Sequence, residues 1–97
     1  MDVHFQLNGN DFVWDAAKAE ANLRKHGVRF EKAATVFDDP LLLVVDASRN
    51  AEARDAAIGF DESGRLLTVV HVQIDDERVR IISARPATAR EEADYAR

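Results

Sequence analysis

The chain's acids outnumber its cations, but its lysines and arginines are gathered into two islands. From Lys18 to Lys32 it carries Lys18, Arg24, Lys25, Arg29 and Lys32 against Glu20 and Glu31. From Arg78 to Arg90 it carries Arg78, Arg80, Arg85 and Arg90 and no acid. The planar fork of arginine grips two phosphate oxygens at once, so such clusters suit a nucleic-acid backbone and the charge that develops on a reacting phosphate. Arg85 leaves the last expected strand just before Pro86, placed to clamp a phosphate, and Arg80 sits where it can position a backbone. Arg54 opens an apolar alternation with Ala56, Ile58 and Phe60. A strand-end guanidinium there points into a cleft or, equally well, pairs with Asp46 or Glu52 to anchor the preceding loop. His26 is the one candidate general acid or base among these clusters, because imidazole titrates near neutral pH. It also falls three residues after Leu23 on an apolar stripe at a helix C-terminus, where a cation is favoured for structural reasons alone. Lys25 lies off that stripe and is the better contact for a nucleic-acid backbone.

Other chemistries are excluded or unsupported. No cysteine means no disulfide, thiolate nucleophile or cysteine-based zinc site. His4, His26 and His71 have no metal-ligand spacing, so neither metal nor cofactor is expected. The formal net charge of −5 runs against the basic footprint usual for nucleic-acid binding, but the excess acid lies in Asp38-Asp39, Asp61-Glu62, Asp75-Asp76-Glu77 and Glu91-Glu92, mostly at turns. Residues 1–97 read as one domain, without repeats or linkers. The longest apolar run, Leu41 to Val45, is too short for a bilayer, and the opening MDVHFQLNGND is not the pattern of a signal peptide. The expected location is the cytoplasm.

The elements that must position these residues follow from local signals. Phe12-Val13-Trp14 reads as a short N-terminal strand, extendable backward through His4–Leu7 across the turn Asn8-Gly9-Asn10. Asp15 is the N-cap of a helix over Ala16–His26, which Gly27 ends in the left-handed conformation. The i, i+3, i+4, i+7 pattern of Phe30, Ala33, Ala34 and Phe37 predicts a second helix, broken by Asp38-Asp39-Pro40. Leu41–Val45 is expected as a strand buried on both faces, Arg54–Phe60 and Arg65–Gln73 as a hairpin turning at Asp61-Glu62-Ser63-Gly64, and Val79–Ala84 as the last strand. His71 lies where its strand turns polar and is expected to be partly exposed. Thr88 and Glu91 form a capping box for a terminal helix over Ala89–Arg97. The fold class is therefore α+β: a short N-terminal strand, two helices, an antiparallel sheet meander and a C-terminal helix.

The segment FVWDAAKAEANLRKHGVRFEKAATVFDDP resembles the opening of the BrnT family, with its Trp-Asp pair, spaced Lys and Asn, Lys-His-Gly-Val, Phe-Glu and closing Asp-Pro. EARDAAIG, GRLLTVV and RIISARPAT with Tyr95 resemble its later strands and closing segment, so the likeness runs from about Phe12 to Tyr95. The chain departs from the family pattern at Arg29 and Lys32, which stand where a capping pair opens the second helix, and at His71-Val72-Gln73-Ile74, which replaces an aromatic-Thr-x-Arg run. Arg49 lies near the place of a loop histidine.

The resemblance implies a RelE-like fold and a ribonuclease toxin that cleaves RNA without a metal. It also implies a BrnA-type antitoxin as tight inhibitor, a toxin–antitoxin hetero-oligomer, and contact with DNA only through that antitoxin. On this reading Arg54 and Arg85 stabilise charge, His26 is the acid or base, and Lys25 and Arg80 hold the RNA backbone. The rival reading is a catalytically inactive antitoxin-binding module acting in transcriptional autoregulation. The net charge of −5 and the substituted run after Val70 favour the rival, while Arg54 and the Lys25–Val28 motif favour the enzyme.

Overall fold

Asn8 and Gly9 both adopt positive φ, 49° and 83°, which is the backbone a two-residue hairpin loop requires. In the computed structural model, which describes all 97 residues, this turn makes the N-terminus a hairpin of β1 (Asp2–Leu7) and β2 (Asn10–Asp15) rather than a single short strand. The chain then continues through α1 (Ala16–His26), α2 (Phe30–Ala34), a 3-10 turn over Thr35–Asp38, β3 (Leu43–Asp46), β4 (Asp55–Phe60), β5 (Leu66–Gln73), β6 (Arg78–Pro86) and α3 (Ala89–Ala96). The six strands form one sheet in the order β1-β2-β6-β5-β4-β3. It is a mixed sheet, because β2 runs parallel to β6 while every other pairing is antiparallel. The antiparallel meander expected after the helices is found in β3–β6, and the parallel join of β6 to the N-terminal hairpin adds to it a pairing that the local signals do not address.

The helix ends form for the reasons their residues suggest. The Asp15 carboxylate accepts the Lys18 N–H at 3.0 Å, and Gly27 at φ 69° closes α1 with its N–H on the Leu23 carbonyl. Arg29, at the start of α2, makes no side-chain cap. That helix is shorter than the expected eight residues. The Thr35 hydroxyl bonds back to the Lys32 carbonyl at 2.7 Å, and the chain tightens from there into the 3-10 turn.

Both α1 and α2 lie on one face of the sheet. Phe12, Trp14, Val28, Phe30, Leu67, Val69 and Ile81 are all at most 2% exposed in one shared core, and burying each large side chain contributes on the order of 2–3 kcal/mol. His71 belongs to this layer. It is 2% exposed, packs edge-on against Phe37 and bonds through Nδ1 with the Val69 carbonyl, which corrects the expectation of partial exposure. Its register with Asp55 and Ile81 turns it to the helix side, whatever the polarity of its neighbours in sequence.

The β3 region is the second correction. Leu41, Val44 and Val45 are 72%, 50% and 41% exposed, because β3 is an edge strand paired only with β4.

Asn22 ties α1 to the sheet. Its amide donates to the Val28 and Ala84 carbonyls and accepts the Ala84 N–H, at 3.0, 2.8 and 3.0 Å, in a buried site. Removing it strands three buried backbone groups, each costing about 1–3 kcal/mol when unpaired. Asn22→Ala is expected to lower the unfolding free energy by about 3 kcal/mol in urea titration.

Candidate functional site

The sheet face away from α1 and α2 carries the arginines. Residues in register share a face, so Arg80 opposite Val72, Ser83 opposite Val70, and Arg85 opposite Thr68 all point to this side. Strict alternation along β6 would put Arg80 and Arg85 on opposite faces, since they are an odd number of residues apart. The register shift between Val70 and His71 absorbs one extra residue on β6, at Ile82, and brings the two to one face. On β4, Ala56 and Ile58 occupy the same face, opposite Val70 and Thr68.

Arg54 and Arg85 line one cleft of about 310 Å³, together with Arg49, Ser83, Asp46 and Glu91, over a floor that includes Ala56 and Val70. Three arginines therefore line one open, polar depression. The loop that carries Arg49 and Arg54 is held by its own hydrogen bonds. The Asp46 carboxylate accepts from the Ser48 N–H at 2.9 Å, Ser48 Oγ accepts the Arg54 N–H at 3.2 Å, and the Ala47 N–H reaches the Arg54 carbonyl at 2.9 Å. The Ser48 hydroxyl, which also donates to Asp46, and then the Ser48 N–H keep the Asp46 carboxyl below the usual carboxylate range. Arg49 forms no ion pair.

The two main arginines are held very differently. Arg54 donates from Nη2 to Glu52 at 2.8 Å, the partner anticipated for a loop anchor, and Glu52 is 68% exposed. Such a surface pair contributes about 0–1 kcal/mol, so Arg54 can exchange it for another anion at little cost. Arg85 instead makes a two-point pair with Glu91, Nη1 to Oε1 at 2.6 Å and Nη2 to Oε2 at 2.9 Å. Glu91 also accepts the Thr88 N–H at 2.9 Å and gives its own N–H to Thr88 Oγ1, completing the capping box of α3. The Thr68 hydroxyl is fully buried without a hydrogen-bond partner, and it adds a little to the lowering of the Glu91 carboxyl.

The Arg85 guanidinium outweighs the opposing effect of burial and, with the Thr88 N–H, holds the Glu91 carboxyl down at about 2 against an ordinary 4.5. A depressed carboxylate stabilises the fold fully above its unfolded value and loses that contribution as pH falls toward the folded one. The stability gap between the wild type and Glu91→Gln is therefore expected to narrow steadily between about pH 5 and pH 2 in urea unfolding. A gap independent of pH across that window contradicts the pairing.

The remaining sequence candidates lie outside the cleft. Arg80 shares its face but is held farther along the sheet by Asp2, with contacts of 2.9 and 3.3 Å, and the Asp2 carboxylate raises its pKa. Lys25 and His26 sit in the last turn of α1, in the layer on the opposite face; Lys25 is exposed and His26 half-buried. The structure brings Arg54 and Arg85 together and does not bring His26 to them. Tyr95 packs edge-on against Phe60 and donates to Asp39 at 2.6 Å, docking α3. Arg49, Ser83 and Glu91 were not singled out for the site from sequence. Arg49 carried a signal as an unmatched cation in a polar loop, whereas Glu91 was already accounted for by its capping box.

A family model described as the ribonuclease toxin BrnT of type II toxin–antitoxin systems matches residues 14–91. That span holds every residue of the cleft and ends on Glu91. The crystal structure of the Brucella abortus ribonuclease toxin, BrnT, is similar to this chain with a TM-score of 0.60 and 26% sequence identity, over 77% of this chain and 92% of that one. No curated protein matches the sequence significantly.

Proposed function

The chain belongs to the BrnT family of ribonuclease toxins of type II toxin–antitoxin systems, and we propose that it cleaves RNA in the Arg54–Arg85 cleft without a metal ion. The observation that carries the reading is the convergence of Arg49, Arg54 and Arg85 on one open depression. In the proposed reaction the ribose 2′ oxygen attacks the adjacent phosphorus and loses its proton. The bond from phosphorus to the 5′ oxygen breaks, and that oxygen takes up a proton. The products are a 2′,3′-cyclic phosphate and a 5′-hydroxyl. Negative charge grows on the non-bridging oxygens in the transition state, where fixed guanidiniums stabilise it most. Arg85 supplies a fixed fork and Arg54 a mobile one, while Arg80, on the same sheet face, extends the contact to the RNA backbone beyond the cleft; the RNA contact expected of Lys25 has no support from its place in the opposite layer. The acid–base role expected of His26 has no support from its position in the opposite layer. Metal independence is supported by the kind of side chain in the cleft, where arginines gather and the carboxylates of Asp46 and Glu91 are already engaged.

The partner in this reading is an antitoxin of BrnA type, which binds DNA on behalf of a toxin–antitoxin hetero-oligomer in the cytoplasm, and the fold is of RelE-like kind. No helix is long and apolar enough to cross a membrane. A second reading, an inactive antitoxin-binding module, is favoured by one observation: both main arginines already face a carboxylate of the same chain.

Single-stranded RNA incubated with the purified chain and excess chelator separates the two. The enzyme reading expects fragments ending in cyclic phosphate, and no cut where the 2′-hydroxyl is replaced by hydrogen. Intact RNA at all times supports the binding module.

A further inference from the structure

We infer that Glu91 is a positioning residue for the cleft, fixing the plane of the Arg85 guanidinium so that one edge of its fork is presented to a phosphate. This deepens the ribonuclease reading and rests on it. An arginine has five N–H donors, arranged as an end pair on the two Nη atoms and a side pair on Nε and Nη2. Glu91 takes the end pair, one N–H from each Nη, at 2.6 and 2.9 Å. The second Nη1 N–H faces the Pro86 carbonyl at 3.4 Å. The Nε–H and the second Nη2–H remain unpaired in the chain, and these are two parallel donors spaced for two phosphate oxygens.

Glu91 is itself fixed. Its Oε1 accepts the Thr88 N–H, its backbone is tied to Thr88 Oγ1, and its side chain is only 19% exposed. The chain Thr88–Glu91–Arg85 thus transmits the rigid start of α3 to one guanidinium. Arg54, with a single contact to a 68% exposed partner, has no such support. A carboxylate held this firmly in its ionised form is a poor proton acceptor, so its effect on the reaction passes through Arg85. It is also a negative charge beside a phosphate site and weakens ground-state binding of RNA. Positioning and charge therefore act on different kinetic constants, and that separates this role from a merely structural one.

Glu91→Gln keeps the side-chain length and a capping-box residue. In RNA cleavage by the full chain it is expected to lower kcat about tenfold while KM stays level or falls. In an Arg85→Ala background it is expected to cause no further loss. Guanidinium nitrogen spectra give a readout independent of cleavage: the Arg85 Nη signals are expected to be resolved in the wild type and merged in Glu91→Gln. Inorganic phosphate should shift the wild-type Arg85 Nε–H. An unchanged kcat in Glu91→Gln, a tenfold loss that persists without Arg85, or freely rotating wild-type Nη groups would each overturn the inference. If the wild type leaves RNA intact while the spectra behave as expected, positioning at a phosphate site stands and the ribonuclease reading falls.

Discussion

Arg54→Ala is expected to lower RNA cleavage about a hundredfold and to leave the chain folded. A hundredfold is about 2.7 kcal/mol of transition-state stabilisation, the lower end of the range for one donor facing a developing oxyanion, as suits a guanidinium held by a single exposed partner. The structural side of the substitution is small. The guanidinium makes one contact, to the exposed Glu52, worth at most about 1 kcal/mol. The backbone bonds that hold its loop, from the Ala47 N–H to the Arg54 carbonyl and from the Arg54 N–H to Ser48 Oγ, survive any side chain. A folded variant that cleaves at the wild-type rate removes Arg54 from the site.

The second large effect is at Arg85, where activity and stability fall together. Arg85→Ala is expected to reduce kcat/KM by about two to three orders of magnitude. It also strands the Glu91 carboxylate beside the buried Thr68, which should lower the unfolding free energy by about 1–2 kcal/mol. Arg85→Lys restores the positive charge without the fork, so it should recover most of the stability and little of the rate. Full recovery of cleavage by lysine shows that charge alone is used, and the two-point geometry with Glu91 then has no bearing on the reaction. Both variants are read by single-turnover cleavage alongside thermal unfolding.

Much of this architecture was legible in the chain because it is written in local chemistry. Asp15, Gly27 and the Thr88–Glu91 box marked helix ends through hydrogen bonds that span no more than four residues. The turn residues Asp61 to Gly64 marked the β4–β5 hairpin for the same reason. What failed or was not addressed depended on partners distant in sequence. The run Leu41–Val45 has the composition of a central strand and lies at the sheet edge, because its position is set by which strands pair. The parallel join of β2 to β6 and the burial of His71 are likewise products of register.

The site was half legible. Arg54 and Arg85 stood out as cations at strand ends, and the fold sets them in one cleft. The shared face of Arg80 and Arg85 depends on the irregularity at Ile82, which no periodicity announces. Likewise, His26 looked chemically apt but is separated from the cleft by the sheet, since a helix stripe tells which way a residue faces and not which layer it joins.

The central claim, that this cleft cleaves RNA, is tested most directly by inducing the wild type and Arg54→Ala separately in a bacterial host and following growth and bulk RNA. The account predicts growth arrest with loss of intact RNA for the wild type, and normal growth with intact RNA for an equally abundant, folded Arg54→Ala. Normal growth and intact RNA with abundant folded wild-type protein would contradict it, and would leave the cleft as a surface for binding alone.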